Sequence, residues 1–278
     1  MSAHSHRGAV LSTTIGPDVT GVLGVLGVLT FAHPPGTFAP TPATLTALRA
    51  IALHGDRLWG EGLDWGSGVG CLAIAAARVP GVTHVLGLEL VEANITAARE
   101  NARENGVADR VVFIHSDSYT PFHAGDRARL EAQAGRGRFI LANPPSSSPH
   151  GDGFEFRRVV MRGAGRWLAQ GGVVFLSVSE QYGPERVGAL EADAPGFRLD
   201  GVLASTDLVP FDMTRADLAA DVETYAAEER RGGWPYVFHD AADPSSRLTA
   251  VEALDRFRAT GLSPLSRWQS LCFRYDPS

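Results

Sequence analysis

The stretch "DWGSGVG", residues 64–70, lies between an apolar segment typical of a strand and an apolar segment typical of a helix. Glycines that follow a strand allow positive φ angles and let a ligand approach the backbone closely. The helix expected from Cys71 to Arg78 directs the partial positive charge of its amino terminus at whatever binds there. This order predicts an α/β fold in which a strand, a ligand-binding turn and a helix follow one another.

The alternation of strand, loop and helix continues along the chain. We expect strands over residues 58–64, 83–88, 110–118, 139–142, 171–180, 197–206 and 267–275. Helical segments fall between most of these strands, and an earlier helix begins after Thr41, a favourable N-cap that Pro42 follows. Repeated strand–helix units of this length predict a doubly wound, seven-stranded, mostly parallel sheet, and we expect its last strand to be antiparallel.

The predicted elements divide the chain into four parts. We expect residues 1–40 to hold an N-terminal leader, disordered over residues 1–15, and a glycine-rich hairpin. Residues 41–211 form the predicted ligand-binding core, residues 212–264 an insertion or lid, and residues 265–278 the final strand of the core. Two polar amphipathic helices, separated by "GGWPYVFHDAADPSS", indicate the insertion.

Composition indicates a globular protein and narrows its expected partners. Hydrophobic residues make up 44% and charged residues 20% of the chain, and the formal net charge is −6. That charge lacks the basic footprint of a duplex-binding protein, so we do not expect nucleic acid as a partner. Two cysteines without a CxxC pair favour a cytoplasmic location, and the nine histidines show no metal-ligand spacing, so no metal is expected. The longest apolar stretch, residues 19–32, is too short to span a bilayer, so we expect no membrane contact.

The spacing of the glycines and of three carboxylates indicates the kind of ligand. The dinucleotide fingerprint G-x-G-x-x-G would need a glycine at position 71, where Cys71 stands, and the spacing here is G-x-G-x-G. Asp64 precedes the first glycine, and the second predicted strand ends in Glu89, which is able to accept hydrogen bonds from both hydroxyls of a ribose. Asp117 ends the third strand, where it is able to accept a bond from the amino group of adenine.

Four motifs in order, "LDWGSGVG", "LGLELVEANITAARENARENG", "FIHSDSY" and "ILANPPS", resemble those of class I S-adenosylmethionine-dependent methyltransferases. The resemblance covers about residues 58–180 and implies a Rossmann-like sheet with S-adenosylmethionine as the cofactor. By this resemblance Asp64 and the loop 66–70 hold the methionine part, Glu89 the ribose, and Asp117 with Ser118 the adenine. The cofactor-binding residues so implied are Asp64, Gly66, Ser67, Gly68, Gly70, Glu89, Asp117, Ser118 and Asn143.

The segment Asn143-Pro144-Pro145 follows the fourth predicted strand. N/D-P-P-aromatic motifs mark the amino-methylating branch, which includes DNA adenine and cytosine-N4 enzymes, guanine-N2 RNA enzymes and release-factor glutamine methyltransferases. The flanking segments 36–50 and 171–183 are most similar to the glutamine and small-domain RNA enzymes. The resemblance implies that Asn143, Pro144 and Pro145 are catalytic. The side-chain oxygen of Asn143 and the carbonyl of Pro144 accept hydrogen bonds from the nitrogen nucleophile, and the two prolines keep these acceptors in place.

Ser146 departs from the motif, because it stands where the branch has an aromatic residue. Serine cannot stack on a flat amide or base, so either the acceptor is not flat or another ring covers it. We therefore expect substrate contacts from Ser146 and from one or more of Phe154, Trp234 and Tyr236, with Phe156 as a further candidate ring.

The negative charge, the absent stacking ring and the "WPY" segment favour a small-molecule N-methyltransferase that residues 212–264 close over as a lid. A protein glutamine or RNA-base N-methyltransferase is the alternative. An alternative of another class is a regulatory protein that binds S-adenosylmethionine without catalysis, and the intact segment 143–145 argues against it. Whether nitrogen or oxygen receives the methyl group stays open at this point.

Overall fold

The computed structural model describes residues 11–15, 26–35, 41–145 and 151–277. Its strands are β1 (Leu11–Ile15), β2 (Leu29–His33), β3 (Gly60–Trp65), β4 (Val82–Glu89), β5 (Val111–Asp117), β6 (Thr120–Pro121), β7 (Gly137–Ala142), β8 (Leu168–Ser179), β9 (Phe197–Ser205), β10 (Val209–Pro210), β11 (Phe238–His239), β12 (Arg247–Leu248), β13 (Leu265–Ser266) and β14 (Trp268–Tyr275). Its helices are α1 (Pro42–Leu53), α2 (Cys71–Arg78), α3 (Glu92–Glu104), α4 (Ala124–Glu131), α5 (Glu155–Ala164), α6 (Gly183–Asp193), α7 (Ala216–Arg230) and α8 (Ala250–Thr260).

The central sheet has the strand order β6-β5-β4-β3-β7-β8-β14-β9. The five neighbouring strands β5, β4, β3, β7 and β8 pair in parallel. Strand β14 pairs antiparallel with both β8 and β9. The predicted doubly wound, mostly parallel sheet with a last antiparallel strand is therefore confirmed. The sheet has eight strands instead of seven because the two-residue strand β6 adds to the edge beside β5.

Helices cover both faces of the sheet and enclose two apolar cores. One core contains side chains of α1, α2 and α3, and the other contains side chains of α4, α5 and α6. Residues 72–77 of α2 are all buried, so this alanine-rich helix has no exposed face over that span. Helix α1 begins as predicted, because Thr41 and Thr44 cap its first turn reciprocally. Because helices connect successive parallel strands, the carboxyl ends of these strands all lie at one edge of the sheet.

The segments on either side of the core differ in part from the predictions. The prediction of a disordered leader is wrong over Leu11–Ile15, because these residues form β1, which pairs antiparallel with β2. Residues 1–10 of the predicted leader lie outside the described residues. The predicted hairpin of the glycine-rich run falls partly on residues 16–25, which also lie outside it. Residues 209–266 carry α7, α8 and a four-stranded sheet in the order β10-β13-β11-β12. The division into domains stays a prediction. Among the described residues, no helix is long and apolar enough to cross a membrane.

Candidate active site

The predicted glycine loop and the Asn143 segment emerge side by side from the sheet. Strands β3 and β7 are parallel neighbours, and Trp65 at the end of β3 pairs with Ala142 at the end of β7. The strand order reverses between these two strands, since β3 leads to β4 on one side and β7 leads to β8 on the other. Open α/β sheets bind ligands outside the carboxyl ends of strands at such a switch point.

The glycine loop leaves space for a ligand at its backbone. Gly66, Gly68 and Gly70 have φ angles of 66°, 54° and 92°, which favour glycine. A Cβ atom on Gly66 or Gly68 would meet no described atom within 4 Å. Ser67 Oγ is buried between them without a hydrogen-bond partner among the described residues. An open glycine backbone with an unpartnered hydroxyl fits the polar methionine end of S-adenosylmethionine.

Asp64 lies beneath this loop at the end of β3 and is buried. Its Oδ2 accepts a hydrogen bond of 2.9 Å from the backbone N–H of Ala73 in α2. Burial is the main cause that raises the pKa of Asp64 to about 8; the bond from Ala73 opposes this rise, and the nearby Glu89 carboxylate adds to it. A buried carboxyl held in this way is suited to a cationic ligand, because a positive charge nearby stabilises its ionised form.

We expect the Asp64→Asn variant to be more stable than the wild type at pH 8, and the difference to shrink as the pH falls toward 4. Asp64 ionises near pH 4 in the unfolded chain and near pH 8 in the fold, so between these values the folded state holds the extra proton. The free energy of unfolding then falls by up to about 1.4 kcal/mol per pH unit as the pH rises. Thermal unfolding of both proteins from pH 4 to pH 9 measures this, and a difference that grows toward low pH would contradict it.

Glu89 joins the glycine loop to the start of α3. Its Oε2 accepts a 2.7 Å bond from the backbone N–H of Gly68. Its Oε1 accepts bonds of 2.8 Å from Val91 N–H and 3.1 Å from Asn94 Nδ2. An ionised carboxylate has about four lone-pair sites, so these three bonds still leave acceptor capacity for a ribose hydroxyl. The structure thus places Glu89 beside the glycine loop, and its contact with the ribose stays a prediction.

The two residues predicted to contact adenine follow β5. Asp117 is exposed, and Ser118 is the one described non-glycine residue with a positive φ, 53°. Ser118 Oγ accepts a 2.8 Å bond from Trp65 Nε1, and its carbonyl accepts a 2.6 Å bond from Ser116 Oγ. The bond from Trp65 joins the end of β3 to the end of β5 across β4, and the bond from Ser116 fixes the turn after β5. Asp117 and Ser118 therefore stand at the same edge of the sheet as Asp64 and Glu89.

Asn143 is half-buried after β7, and α1 orients its side chain. Asn143 Nδ2 donates to Thr44 Oγ1 at 3.4 Å, which leaves the amide oxygen to accept other bonds. Thr44 is in turn fixed by the cap of α1, since its Oγ1 accepts a 3.3 Å bond from the N–H of Thr41. The upstream segment that contains this cap thus acts directly on the predicted catalytic amide.

Arg157 binds the backbone of the two prolines, and it was not among the site residues expected from the sequence. Its guanidinium is buried in α5 and donates to the carbonyls of Pro144 at 3.1 Å, Pro145 at 2.7 Å and Ser177 at 3.3 Å. The guanidinium also lies 5.0 Å from the ring centre of Tyr182. A carbonyl oxygen has two lone pairs, so Pro144 remains able to accept a second bond. The charged Arg157 side chain therefore stabilises the backbone of Pro144 and Pro145, which are catalytic according to the resemblance.

A signal for Arg157 is present in the sequence. The buried positions around α5 are Phe154, Arg157, Val160, Met161 and Ala164. These recur with the spacing of one helix face, and an arginine on an otherwise apolar face needs polar partners inside the fold.

The predicted substrate contacts are corrected in part. Phe154 and Tyr236 are fully buried: Phe154 packs against Tyr182 with ring centres 5.0 Å apart, and Tyr236 stacks on Tyr225 at 4.2 Å. The prediction that either ring covers the acceptor is wrong in this structure, because each is enclosed by core side chains. Trp234 is exposed, and Ser146 lies outside the described residues. Phe156 is the better candidate, because it is partly buried with its ring 6.3 Å from that of Trp65.

Comparisons with known proteins agree with this site. The family model described as the methyltransferase small domain matches residues 29–193, more than half of the chain. A release factor glutamine methyltransferase from Cereibacter sphaeroides is 29% identical over 151 residues, which are 47% of this chain and 50% of that protein. A ribosomal protein L11 methyltransferase from Dechloromonas aromatica is 48% identical over 82 residues, 30% of this chain and 24% of that protein. The chain thus spans half or less of the length of these relatives.

A solved structure is similar in fold over most of this chain. A transferase from Pyrococcus horikoshii covers 98% of this chain and 74% of its own, with 13% identity and a TM-score of 0.52. This structure confirms the α/β fold, and the family match and the methyltransferase relatives confirm the resemblance to class I methyltransferases and S-adenosylmethionine as the cofactor.

The prediction of a small-molecule acceptor, with nucleic acid not expected, is wrong. The curated relatives carry the names of enzymes that act on macromolecules, a release factor and a ribosomal protein. Net charge misled here because it is a property of the whole chain and says nothing of the surface around one site.

Proposed function

Because the chain belongs to the methyltransferase small-domain family, we propose that it transfers a methyl group from S-adenosylmethionine to a nitrogen of a protein side chain. The chain is an S-adenosylmethionine-dependent methyltransferase, and the nitrogen acceptor is what we infer from its site. The observation that carries this inference is the pair of acceptors after β7, the amide oxygen of Asn143 and the carbonyl of Pro144, beside the glycine loop.

Two acceptors suit a nitrogen that carries two hydrogens. Each acceptor takes one N–H, so the nitrogen lone pair is left to point away from both of them. Thr44 fixes the orientation of the Asn143 amide, and Arg157 fixes the Pro144 carbonyl, so little ordering remains when the acceptor binds. The hydrogen bonds that the nitrogen donates to the two oxygens strengthen as positive charge develops on it. This stabilises the transition state more than the ground state.

S-Adenosylmethionine supplies an electrophilic methyl group when it is bound, and the chain's residues hold and orient the two partners. The loop 66–70 and Asp64 hold the methionine part, Glu89 the ribose, and Asp117 with Ser118 the adenine. Asn143 and the Pro144 carbonyl hold the acceptor. Both groups of residues follow strands β3, β4, β5 and β7 at one edge of the sheet, so their relative positions are set by the rigid sheet.

A protein acceptor is favoured over other macromolecules by the names of the curated relatives, which modify a release factor and a ribosomal protein. Methyl-labelled S-adenosylmethionine and the full chain, added to an extract of the source organism, test this choice. We expect label in the macromolecular fraction that protease releases and nuclease does not. Label that nuclease releases, or label confined to small-molecule products, would overturn the protein acceptor while keeping methyl transfer, and an extract in which no label is transferred would overturn both.

We expect Glu89→Ala to weaken binding of S-adenosylmethionine at least tenfold, about 1.4 kcal/mol or more. The substitution removes the acceptor for the ribose and also frees Gly68 N–H of the glycine loop. Calorimetric titration with the cofactor measures the effect, and Glu100→Ala, at an exposed glutamate on the helix α3 that follows Glu89, is the matched control. An unchanged dissociation constant for Glu89→Ala would remove this residue from the ribose site.

A further inference from the structure

Three side chains that commonly bind metals come together on the surface away from Asn143. They are Glu92 at the start of α3, His115 in β5 and His123, the N-cap of α4. One ligand atom from each lies within 4.8 Å of the other two. Their positions in the sequence do not follow a metal-ligand spacing, and the fold brings Glu92 to the two histidines.

The hydrogen bonding of His115 fixes which ring nitrogen faces the cluster. His115 Nε2 lies 2.8 Å from the carbonyl oxygen of Leu90, which only accepts hydrogen bonds, so Nε2 carries a proton. The other nitrogen, Nδ1, lies 3.5 Å from a carboxylate oxygen of Glu92. In the neutral ring this nitrogen presents a lone pair to the carboxylate. A cation between the two atoms, either a proton or a metal ion, makes this contact favourable.

His123 distinguishes the metal from the proton. A proton needs only His115 and Glu92, whereas the ring of His123 stands 6.1 Å from that of His115 and offers a third ligand. Imidazole and carboxylate together suit Zn²⁺, which binds both at about 2.1 Å. The side chains of Glu92 and His123 are exposed, so core packing does not hold either of them in its present position. The bond from His115 Nε2 to a backbone carbonyl is also the arrangement that orients a metal-binding histidine.

We propose that Glu92, His115 and His123 form a binding site for a divalent transition-metal ion, Zn²⁺, with water in the fourth position. The site joins the start of α3 to the start of α4. It borders the cofactor site without belonging to it, because Glu92 follows Glu89 by three residues and His115 precedes Asp117 by two. It supplies no group to the acceptor pair after β7.

Calorimetric titration of the chelator-treated full chain with zinc chloride at pH 7.5 tests the proposal. We expect one site per chain in the wild type, and at least tenfold weaker binding in Glu92→Gln and in His123→Ala. Both side chains are exposed, so neither substitution removes core packing, and circular dichroism checks that the fold is intact. Tetrahedral Co²⁺ absorption in the wild type, lost in His123→Ala, gives a second readout.

Control variants separate this site from the chain's other histidines. His84→Ala, on the neighbouring strand β4, is expected to bind zinc as the wild type does. The His4→Ala/His6→Ala double variant removes two histidines near the amino terminus and is expected to keep the site. The proposal is overturned if the wild type binds no zinc, if His123→Ala binds it equally well, or if the double variant loses it.

Discussion

Replacement of Asn143 by alanine is expected to lower the turnover number by about 10²–10³-fold while the dissociation constant for S-adenosylmethionine stays nearly unchanged. The substitution removes one of the two acceptors that orient the nucleophile, and its contribution is largest in the transition state, where charge develops on the nitrogen. Steady-state kinetics with the identified acceptor and calorimetry with the cofactor measure the two quantities separately.

Asn143→Asp is the matched comparison. It keeps an acceptor oxygen but loses the amide group that donates to Thr44 at 3.4 Å, so we expect it to retain more turnover than Asn143→Ala. A loss of cofactor affinity equal to the loss of turnover in Asn143→Ala would show that this residue holds the cofactor and not the acceptor. Unchanged turnover would remove Asn143 from catalysis.

Replacement of Arg157 by methionine is expected to lower the free energy of unfolding by about 3 kcal/mol and turnover at least tenfold. Methionine preserves much of the buried side-chain volume, but the carbonyls of Pro144, Pro145 and Ser177 lose their donor. Relief from burying a charge offsets part of this cost. Chemical denaturation measures the stability, and initial rates at saturating cofactor measure turnover.

Two further variants separate the positioning role of Arg157 from a merely structural one. Arg162→Met changes a half-exposed arginine on the same helix and is expected to alter stability by no more than about 0.5 kcal/mol. Arg157→Lys keeps the charge and reaches fewer carbonyls, so turnover is expected between that of the wild type and Arg157→Met. Full turnover by Arg157→Met at temperatures where it is folded would contradict the positioning role.

The sheet and the cofactor loop could be predicted because their signals are local. The glycines at 66–70 and the apolar strands on either side specify a strand, turn and helix within a short window. Asp64, Glu89 and Asn143 each lie at or just after the carboxyl end of a parallel strand, and the carboxyl ends of parallel strands meet at one edge. The positions of these residues therefore followed once the strand–helix alternation had been recognised.

Other features depend on contacts between distant segments, so they could not be predicted from local patterns in the sequence. Strand β6 and strands β10 to β13 have two residues each, too few to show a period. Whether Phe154 and Tyr236 face a substrate or the core is decided by the helices that pack on them. The sequence shows Arg157 as a polar residue on an otherwise apolar helix face. Its partners, the proline carbonyls, become evident only in the structure.

The acceptor prediction failed for a different physical reason. Net charge is a property of the whole composition and the serine at position 146 is a single feature of the sequence, and neither measures the surface that meets a macromolecule. The atoms that orient the nucleophile are the same for a free amine, a protein amide or a base. The acceptor class was therefore indicated by the relatives, while the residues indicated only a nitrogen with two hydrogens.

Chemical analysis of the methylated product is the measurement that tests the central claim most directly. Protein labelled by the wild-type chain, and by Asn143→Ala in parallel, is treated with mild base and then hydrolysed in acid. We expect label that survives mild base and is recovered as a methylated nitrogen, including methylamine if the acceptor is an amide, and we expect little label with Asn143→Ala. Label released by mild base as methanol would identify a methyl ester and contradict a nitrogen acceptor oriented by Asn143 and Pro144.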